Sequence, residues 1–344
     1  MSDTGGRGEL SLGLSLSGIR SSTDMVSAAV AAEGFGFDSV WTSEAWGKDA
    51  FTPLGAIAAV THRIRLGTAI AQISARTPGA TAMTVLTLQE LSGGRIDLGL
   101  GVSGPQVVEG WHGTSFARPL VATREYVTIL RAMLAADHPV DIAGSIYSVP
   151  YRGPGATGLG KPLRSSLPGH PETSILIAAI GPRNVALATE VADGLLPYLW
   201  SPTRWKEAWG ETLAAAPSGF SVAPTVFVSM GDDLEACRDA LRPRIALHIG
   251  GMGSRNQNFY KDLIARYGYE KEATIIQDHY LAGDRKAARA AVSDSLVDDL
   301  ALVGPVARIS DQLDAWREGS PVTTMILEPT NLDDLETIAK LWGR

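Results

Sequence analysis

The chain has 344 residues, 45% of them hydrophobic, which suffices for one large single-core domain of the size that eightfold barrels reach undivided. Its 30 basic residues stand against 37 acidic ones, a formal net charge of -7, and no lysine or arginine run is long enough to track a phosphate backbone, so nucleic acid is excluded as a partner. The segment 1–8 is polar and glycine-rich, without the apolar core of a signal peptide, and no stretch of about 18 apolar residues occurs; a flexible N-terminus ahead of a single cytoplasmic domain over 9–344, off the membrane, is expected.

Two hydrophobic periods alternate along the chain, one of two residues for strands and one of about 3.6 for helices. Leu10, Leu12, Leu14 and Leu16 alternate with Ser11, Gly13, Ser15 and Ser17, and Met25, Ala28, Ala29 and Ala32 follow at helical spacing after a capping Ser22 or Thr23, with Gly34 and Gly36 as the stop. A second strand spans Asp38–Ser43 with a helix over Thr52–Thr61, and a third spans Ile64–Ala71 with a helix over Pro78–Leu91. The fourth strand, Arg95–Gly101, has its helix delayed to about Leu120, where Tyr126, Ile129, Leu130, Met133 and Leu134 share an apolar face. Strand Ile175–Ile180 with helix Pro182–Val191 and strand Leu195–Trp200 with helix Thr203–Ala215 form the fifth and sixth pairs. Strand seven, Val222–Met230, is followed by about ninety residues of helical pattern that include Leu234–Leu241, Phe259–Tyr267 and Lys286–Leu302; Cys237 sits on the first of these as a buried, inert thiol. Strand eight, Val322–Leu327, precedes a last helix over Leu332–Trp342. Eight such pairs predict a (β/α)8 TIM barrel with insertions at about 102–119, 137–173 and 231–320; an open doubly wound sheet is the alternative. In strands one and four the small and polar residues share one face, so either the barrel mouth has room for a flat ring or the layers are packed in the ordinary way.

Several motifs fail on context. Gly99, Gly101 and Gly104 match a GxGxxG dinucleotide turn, but Pro105 and a loop follow where a helix should open, and no acidic strand end comes about twenty residues on. Gly155–Lys161 is one residue short of a Walker A loop and is followed by Pro162. The six histidines show no metal-ligand spacing, no lysine falls at a strand end, and there is no GxSxG elbow, so no metal is expected and neither Schiff-base nor serine-nucleophile chemistry is indicated. Active sites of such barrels form at the carboxyl ends of the strands. Those ends here, Ser43–Trp46, Ala69–Gln72, Val102–Gln106, Gly181–Asn184, Trp200–Ser201 and Glu328–Pro329, carry few ionisable groups, which favours a site whose reactive atoms belong to a cofactor. At Gly181-Pro182-Arg183-Asn184 a proline-started helix and an arginine make an anion site or an ordinary strand-helix turn.

The runs RIRLGTAIAQISARTPGATAMTVLTLQELSGGRIDLGLGVSGPQVVEGWHG, AAIGPRNVALATEVADGLLP and IALHIGGMGSRNQNFYKDLIARYGYEKEA resemble the actinobacterial branch of the luciferase-like, coenzyme F420-dependent oxidoreductases, over about Leu10 to Leu341. The resemblance implies a non-prolyl cis peptide beneath the cofactor ring at the step Ala69–Ile70, continued by Ala71 and Gln72; a cofactor phosphate near Ala179, Ile180, Gly181, Pro182, Arg183 and Asn184; and Gly101, Val102, Ser103, Gly104 and Gln106 facing the ring or its side chain. Glu44 stands at the place of an acidic cofactor contact. Ala45 replaces a histidine that serves as base in some sugar-phosphate dehydrogenases of the superfamily, which argues against that substrate. The activity implied is hydride transfer between the deazaflavin C5 and an alcohol, carbonyl, imine or activated alkene; an FMN-dependent monooxygenase and a non-catalytic flavin- or F420-binding barrel are the rivals. Glu44, His112 and His248 are the candidate proton donors, with Glu44 and His112 expected to face one cavity, and Trp46, Trp111, Trp200 and Tyr260 the candidate walls of the pocket of a small-molecule substrate. A homodimer or higher homo-oligomer is expected.

Overall fold

The computed structural model describes residues 10–344, so the expectation for residues 1–8 lies outside the described residues. Ten parallel segments build the barrel among the described residues. In chain order they are β1 (Ser11–Ser15), β2 (Ser39–Thr42), β3 (Arg65–Thr68) with its short continuation β4 (Ala71–Gln72), β5 (Ile96–Gly101), β8 (Ser174–Ala178), β9 (Gly194–Leu196), and a seventh strand broken into β10 (Ser221–Val222) and β11 (Thr225–Met230), closed by β13 (Thr324–Pro329) as the eighth; β6 (Ile142–Ala143) and β7 (Ser148–Val149) form a separate antiparallel pair in the insertion before β8. Between the strands run α1 (Ser22–Gly34), α2 (Phe51–Ala58), α3 (Pro78–Ser92), the short α4 (Pro105–Gly110), α5 (Pro119–Ala135), α6 (Pro182–Val191) and α7 (Trp205–Ala214). Ser21, one residue ahead of the expected cap, closes α1 by accepting the Asp24 N–H.

The sheet closes because β13 pairs with β1 on one side and β11 on the other, while β10 pairs with β9. Strand seven is interrupted at Pro224, which has no N–H to give to a ladder. Beyond that break its outer edge leaves β9, and Phe227–Met230 pair instead with β12 (Ala301–Gly304), a strand from within the insertion. Helical periodicity had placed Ala301 and Leu302 at the end of a helix. The rest of that insertion is α8 (Leu234–Gly251), α9 (Phe259–Ile264) running through a π turn into α10 (Glu270–Leu281), α11 (Arg285–Ala290) and α12 (Asp294–Leu300), with α13 (Val306–Arg317) after β12 and α14 (Leu335–Leu341) last. α8 continues through Pro243 and is ten residues longer than its apolar spacing up to Leu241 had indicated.

The leucine face of β1 packs outward: Leu12, Leu14 and Leu16 lie in the main core with Met25, Ala29 and Ala32 of α1. The lumen holds a second, smaller cluster of Trp41, Leu176, Leu196, Ala223 and Ile326. Its small residues make room for one large one, because a Cβ at Gly67 would overlap the Trp41 ring and one at Gly13 would lie 3.0 Å from Trp41 Nε1. The indole N–H donates to Ser39 Oγ at 2.8 Å. The lower lumen is therefore packed solid, and free space begins only above it at the carboxyl ends. No helix is long and apolar enough to cross a membrane among the described residues.

Candidate active site at the barrel mouth

The third strand reaches the mouth through a bulge. Gly67 pairs with Asp97 but Ala71 pairs with Leu100, so four residues of one strand oppose three of the other, the signature of a single inserted residue. Where the ladder parts, Thr68 replaces it with its side chain, its Oγ1 donating to the Gly99 carbonyl at 2.7 Å and accepting the Gly99 N–H at 2.9 Å. The peptide bond between Ala69 and Ile70 is cis, at the step the resemblance indicates. Ile70 then lies over β5: a Cβ on Gly101 would stand 2.9 Å from Ile70 Cδ1 and 3.4 Å from the Ala178 methyl, so glycine there keeps Ile70, Gly101 and Ala178 in one low apolar shelf.

Glu44 fastens this bulge to the loop after β2. Its N–H donates to the Ile70 carbonyl at 3.0 Å, its Oε1 accepts the Gln72 N–H at 2.8 Å, and its Oε2 accepts the Ala50 N–H at 3.1 Å with Arg76 Nη1 at 3.5 Å. Gln72 returns the tie by donating from Nε2 to the carbonyls of Ala45 and Glu44. The Glu44 side chain is 6% exposed. Its acceptors are thus committed to backbone and to Arg76, which is the geometry of a strut rather than of a proton donor. Gln72 Oε1 and Ser74 Oγ, on the same stretch, are buried without a partner.

A cavity of about 420 Å3 opens beside the bulge, lined by Ile73, Ser74, Arg76, Val102, Phe116 and Tyr147 among others. Neither Glu44 nor His112 lines it. His112 follows α4, its N–H donating to the Val107 carbonyl at 3.1 Å and its Nε2 buried without a partner. The helix α4 also revises the reading of Gly99–Gly104: a helix does follow the third glycine, but it is six residues long, opened by Pro105, with Gly104 as an extended N-cap and Gln106 in its first turn, and Ser103 before it sits at a φ of 58°.

Gly181 is the N-cap of α6 and brings no side-chain cap, Pro182 occupies the first turn, and Asn184 N–H turns back to the Gly181 carbonyl. Arg183 is exposed and has no hydrogen-bond or ion-pair partner among the described residues. The turn is held from behind, where the Ile180 carbonyl accepts Trp209 Nε1 at 3.0 Å and Arg266 Nη2 at 3.1 Å; Ala179 is buried beneath it.

Across the mouth lies a cluster that the sequence reading touched only in part. His248 and Tyr260 were candidates; Tyr198, Arg244 and Glu328 were not. The His248 ring lies 4.7 Å from that of Tyr198 and 5.3 Å from that of Tyr260, and Arg244 sits 5.0 Å over the Phe227 ring while pairing with the Glu328 carboxylate. His248 Nδ1 contacts the Arg244 carbonyl at 2.8 Å, which makes that nitrogen the protonated one. Burial pulls its pKa down to about 4, assisted by the Arg244 charge, so the imidazole is neutral at neutral pH and a poor acid. Burial pushes the Glu328 carboxyl above the ordinary range, with Arg244 drawing it partly back.

The aromatic walls separate differently. Trp46 and Trp111 are largely exposed on their loops. Trp200 is 1% exposed and lies in the core, stacked on Trp205 at 5.8 Å and Trp209 at 5.1 Å, both of α7; the preceding Leu199 has a φ of 52°. Among the described residues no group of three His, Cys, Asp or Glu side chains could hold a metal ion.

Comparison with known proteins agrees with this architecture. The family model described as luciferase-like monooxygenase matches residues 8–323. A protein of Mycobacterium tuberculosis provisionally assigned as a coenzyme F420-dependent oxidoreductase is 42% identical over 326 residues, covering 90% of this chain and 92% of the relative. The structure of a coenzyme F420-dependent tetrahydromethanopterin reductase from Methanopyrus kandleri superposes with a TM-score of 0.79 at 21% identity, covering 98% of each chain. That of an F420-dependent secondary alcohol dehydrogenase bound to an F420-acetone adduct does so with 0.73 at 19% identity, over 97% of this chain and 98% of the other. With the family model spanning nearly the whole chain, this protein belongs to the luciferase-like monooxygenase family of oxidoreductases.

Proposed function

We propose that the protein is an oxidoreductase that uses coenzyme F420 and transfers a hydride between the deazaflavin C5 and an electrophilic carbon of a small organic substrate. The observation that carries the reading is the tied bulge at the end of β3. It combines an apolar shelf of Ile70, Gly101 and Ala178 with a buried acceptor, Gln72 Oε1, that has no protein partner. A shelf without titratable groups beside a spare acceptor fits a flat heterocycle that carries its own N–H groups. The F420 dependence named for the mycobacterial relative and for both structural neighbours supports the deazaflavin over FMN.

When bound, the coenzyme supplies a two-electron hydride donor or acceptor. The chain's own part is placement. Glu44 holds the shelf by bonding Ile70 and Gln72, and the uncapped start of α6 with Arg183 offers N–H groups and a positive charge to the coenzyme phosphate. Ala69, Ala71, Val102 to Gly104 and Gln106 border the same side, and Trp46 and Trp111 stand on the loops above it. Equilibrium titration of the protein with F420 and with FMN tests the reading. The expected result is tighter binding of F420; tight FMN binding without measurable F420 affinity overturns it.

A further inference from the structure

The floor of the mouth has two chemically different halves. On the side of β3, β5 and β8 it ends in Ala69, Gly101 and Ala178, none of which titrates. On the side of β9, β11 and β13 it ends in Tyr198, Phe227 and Glu328. Glu328 faces inward because the pleat alternates: Ile326, two residues earlier, lies in the lumen with Trp41, Leu176, Leu196 and Ala223, so Glu328 is one layer nearer the mouth on the same face. Phe227 is its register partner on β11, and Tyr198 stands two residues beyond the lumen-facing Leu196 and bridges to Thr225. Over these, α8 lays Arg244 and His248 one turn apart.

We propose that Glu328 is the group that gives a proton to, and takes it from, the substrate, that Arg244 sets how readily it does so, and that the substrate is a carbonyl compound or the corresponding alcohol. The proposal rests on the F420-dependent reading above. In the reducing direction the carbonyl carbon receives the hydride, the electron pair of the C=O π bond moves to oxygen, and that oxygen takes the carboxyl proton of Glu328. With the reduced coenzyme entering as its anion, the products are the alcohol, the oxidised coenzyme and the Glu328 carboxylate, and water restores the carboxyl proton.

The neighbours leave Glu328 as the only group suited to the task on this half. Glu328 is 6% exposed and burial pushes its carboxyl upward, while the paired Arg244 keeps it from being locked in the neutral form. A carboxyl raised above its ordinary range can hold a proton to give, and the cation beside it stabilises the carboxylate left behind. His248 has committed its N–H to the Arg244 carbonyl, and Tyr198 and Tyr260 are pushed by burial to still weaker acidity. From the β1 side Gly18 approaches, where a Cβ would stand 3.3 Å from Glu328 Oε1, so a side chain there would press on the carboxyl. A carbonyl fits because its oxygen, once reduced, needs one proton and then returns it to the same carboxylate in the reverse reaction.

Two measurements on the F420-loaded protein test this. Infrared difference spectra from about pH 5 to about pH 9 read the protonated carboxyl directly: the wild type should show a band that E328Q lacks, fading as pH rises, and Arg244→Met should move the fading to higher pH because the attracting cation is gone. With acetone, cyclohexanone and benzaldehyde as probes, kcat of the wild type for reduction should fall on the alkaline side of the same titration. E328Q should lose about 100- to 10,000-fold in kcat together with that limb, at unchanged F420 affinity, and Glu328→Asp should restore part of both. A purely structural ion pair would lower activity without shifting the limb in Arg244→Met. A carboxyl ionised across the whole range, or an E328Q enzyme with wild-type kcat and pH profile, overturns the role of Glu328; wild type that binds F420 and reduces none of the probes overturns the carbonyl assignment. Absence of F420 binding would instead remove the reading beneath both.

Discussion

Replacing Glu44 by Gln separates a strut from a proton donor. The substitution keeps the shape of the side chain and turns one acceptor oxygen into a donor. In its best orientation the glutamine keeps its oxygen on the Gln72 N–H, at 2.8 Å in the wild type, and its NH2 then confronts the Ala50 N–H, now 3.1 Å from Oε2, and the Arg76 guanidinium. One charge-assisted hydrogen bond is lost, worth about 1.5 to 3 kcal/mol, and the N–H of the buried Ala50 is left without a partner at a cost of about 1 to 3 kcal/mol. A total near 3 kcal/mol corresponds to a fall in Tm of roughly 6 °C at about 2 °C per kcal/mol for a large domain. Because the same side chain holds Ile70 and Gln72, F420 affinity should fall as well, by about tenfold for each 1.4 kcal/mol that reaches the shelf. Thermal unfolding followed by circular dichroism, with F420 titration and a pH-rate profile on the same samples, reads all three. A variant of wild-type Tm and F420 affinity that has lost turnover and one limb of its pH profile would refute the strut and restore Glu44 as an acid.

Arg183→Glu should weaken F420 binding by at least about tenfold, the equivalent of one charge-assisted contact, without changing Tm, since Arg183 is exposed and has no partner among the described residues; titration at two salt concentrations checks it, and unchanged affinity moves the phosphate elsewhere. The pKa of His248 is lowered by burial from an ordinary value of about 6.5 to about 4 in the folded chain, so the unfolded chain takes up the proton first. Its contribution to stability is complete above about pH 6.5 and is lost as pH falls toward 4, by an amount on the order of 3 kcal/mol; urea unfolding at a series of pH values should show this loss in the wild type and a shallower one in His248→Gln, and equal slopes would mean that His248 is not buried as a neutral ring.

Helix α6 was legible to the residue because Gly181 and Pro182 mark its start and its apolar face is regular. Strand β1 was legible because its leucines and serines alternate without a break. The insertion was less so: apolar spacing marked its first helix only as far as Leu241, whereas α8 runs on through Pro243, which costs one backbone bond, because it is held by packing on α10 and β12. β12 is four residues long and continues an apolar pattern that fits a helix as well, so periodicity alone cannot distinguish the two. For the site, the bulge at Ala69–Ile70 was visible through resemblance alone, since nothing in the residue types of a TAIAQ run announces a cis step. Glu328 was visible as a strand end but not as half of a pair, because its partner Arg244 lies 84 residues away on a helix and only the closed barrel brings them together. Trp200 misled in the opposite direction: an aromatic residue just past a strand reads as a pocket wall, and nothing in its own position announces the stack with Trp205 and Trp209 of the following helix.

The strand that the insertion lends to the barrel decides how this enzyme moves. An appendage joined to a scaffold by loops alone can open and shut as a unit, but here Ala301–Gly304 are hydrogen-bonded to Phe227–Met230 in the same ladder as the barrel itself. The amides of β12 should therefore exchange with deuterium as slowly as those of β11, and the helix that presents Arg244 and His248 should come apart only when the whole domain does. Access to the mouth then falls to the loops on the opposite rim, around α4 and the β6–β7 pair, which no such ladder restrains, and mutations that alter the rate of product release should concentrate there rather than in the large insertion.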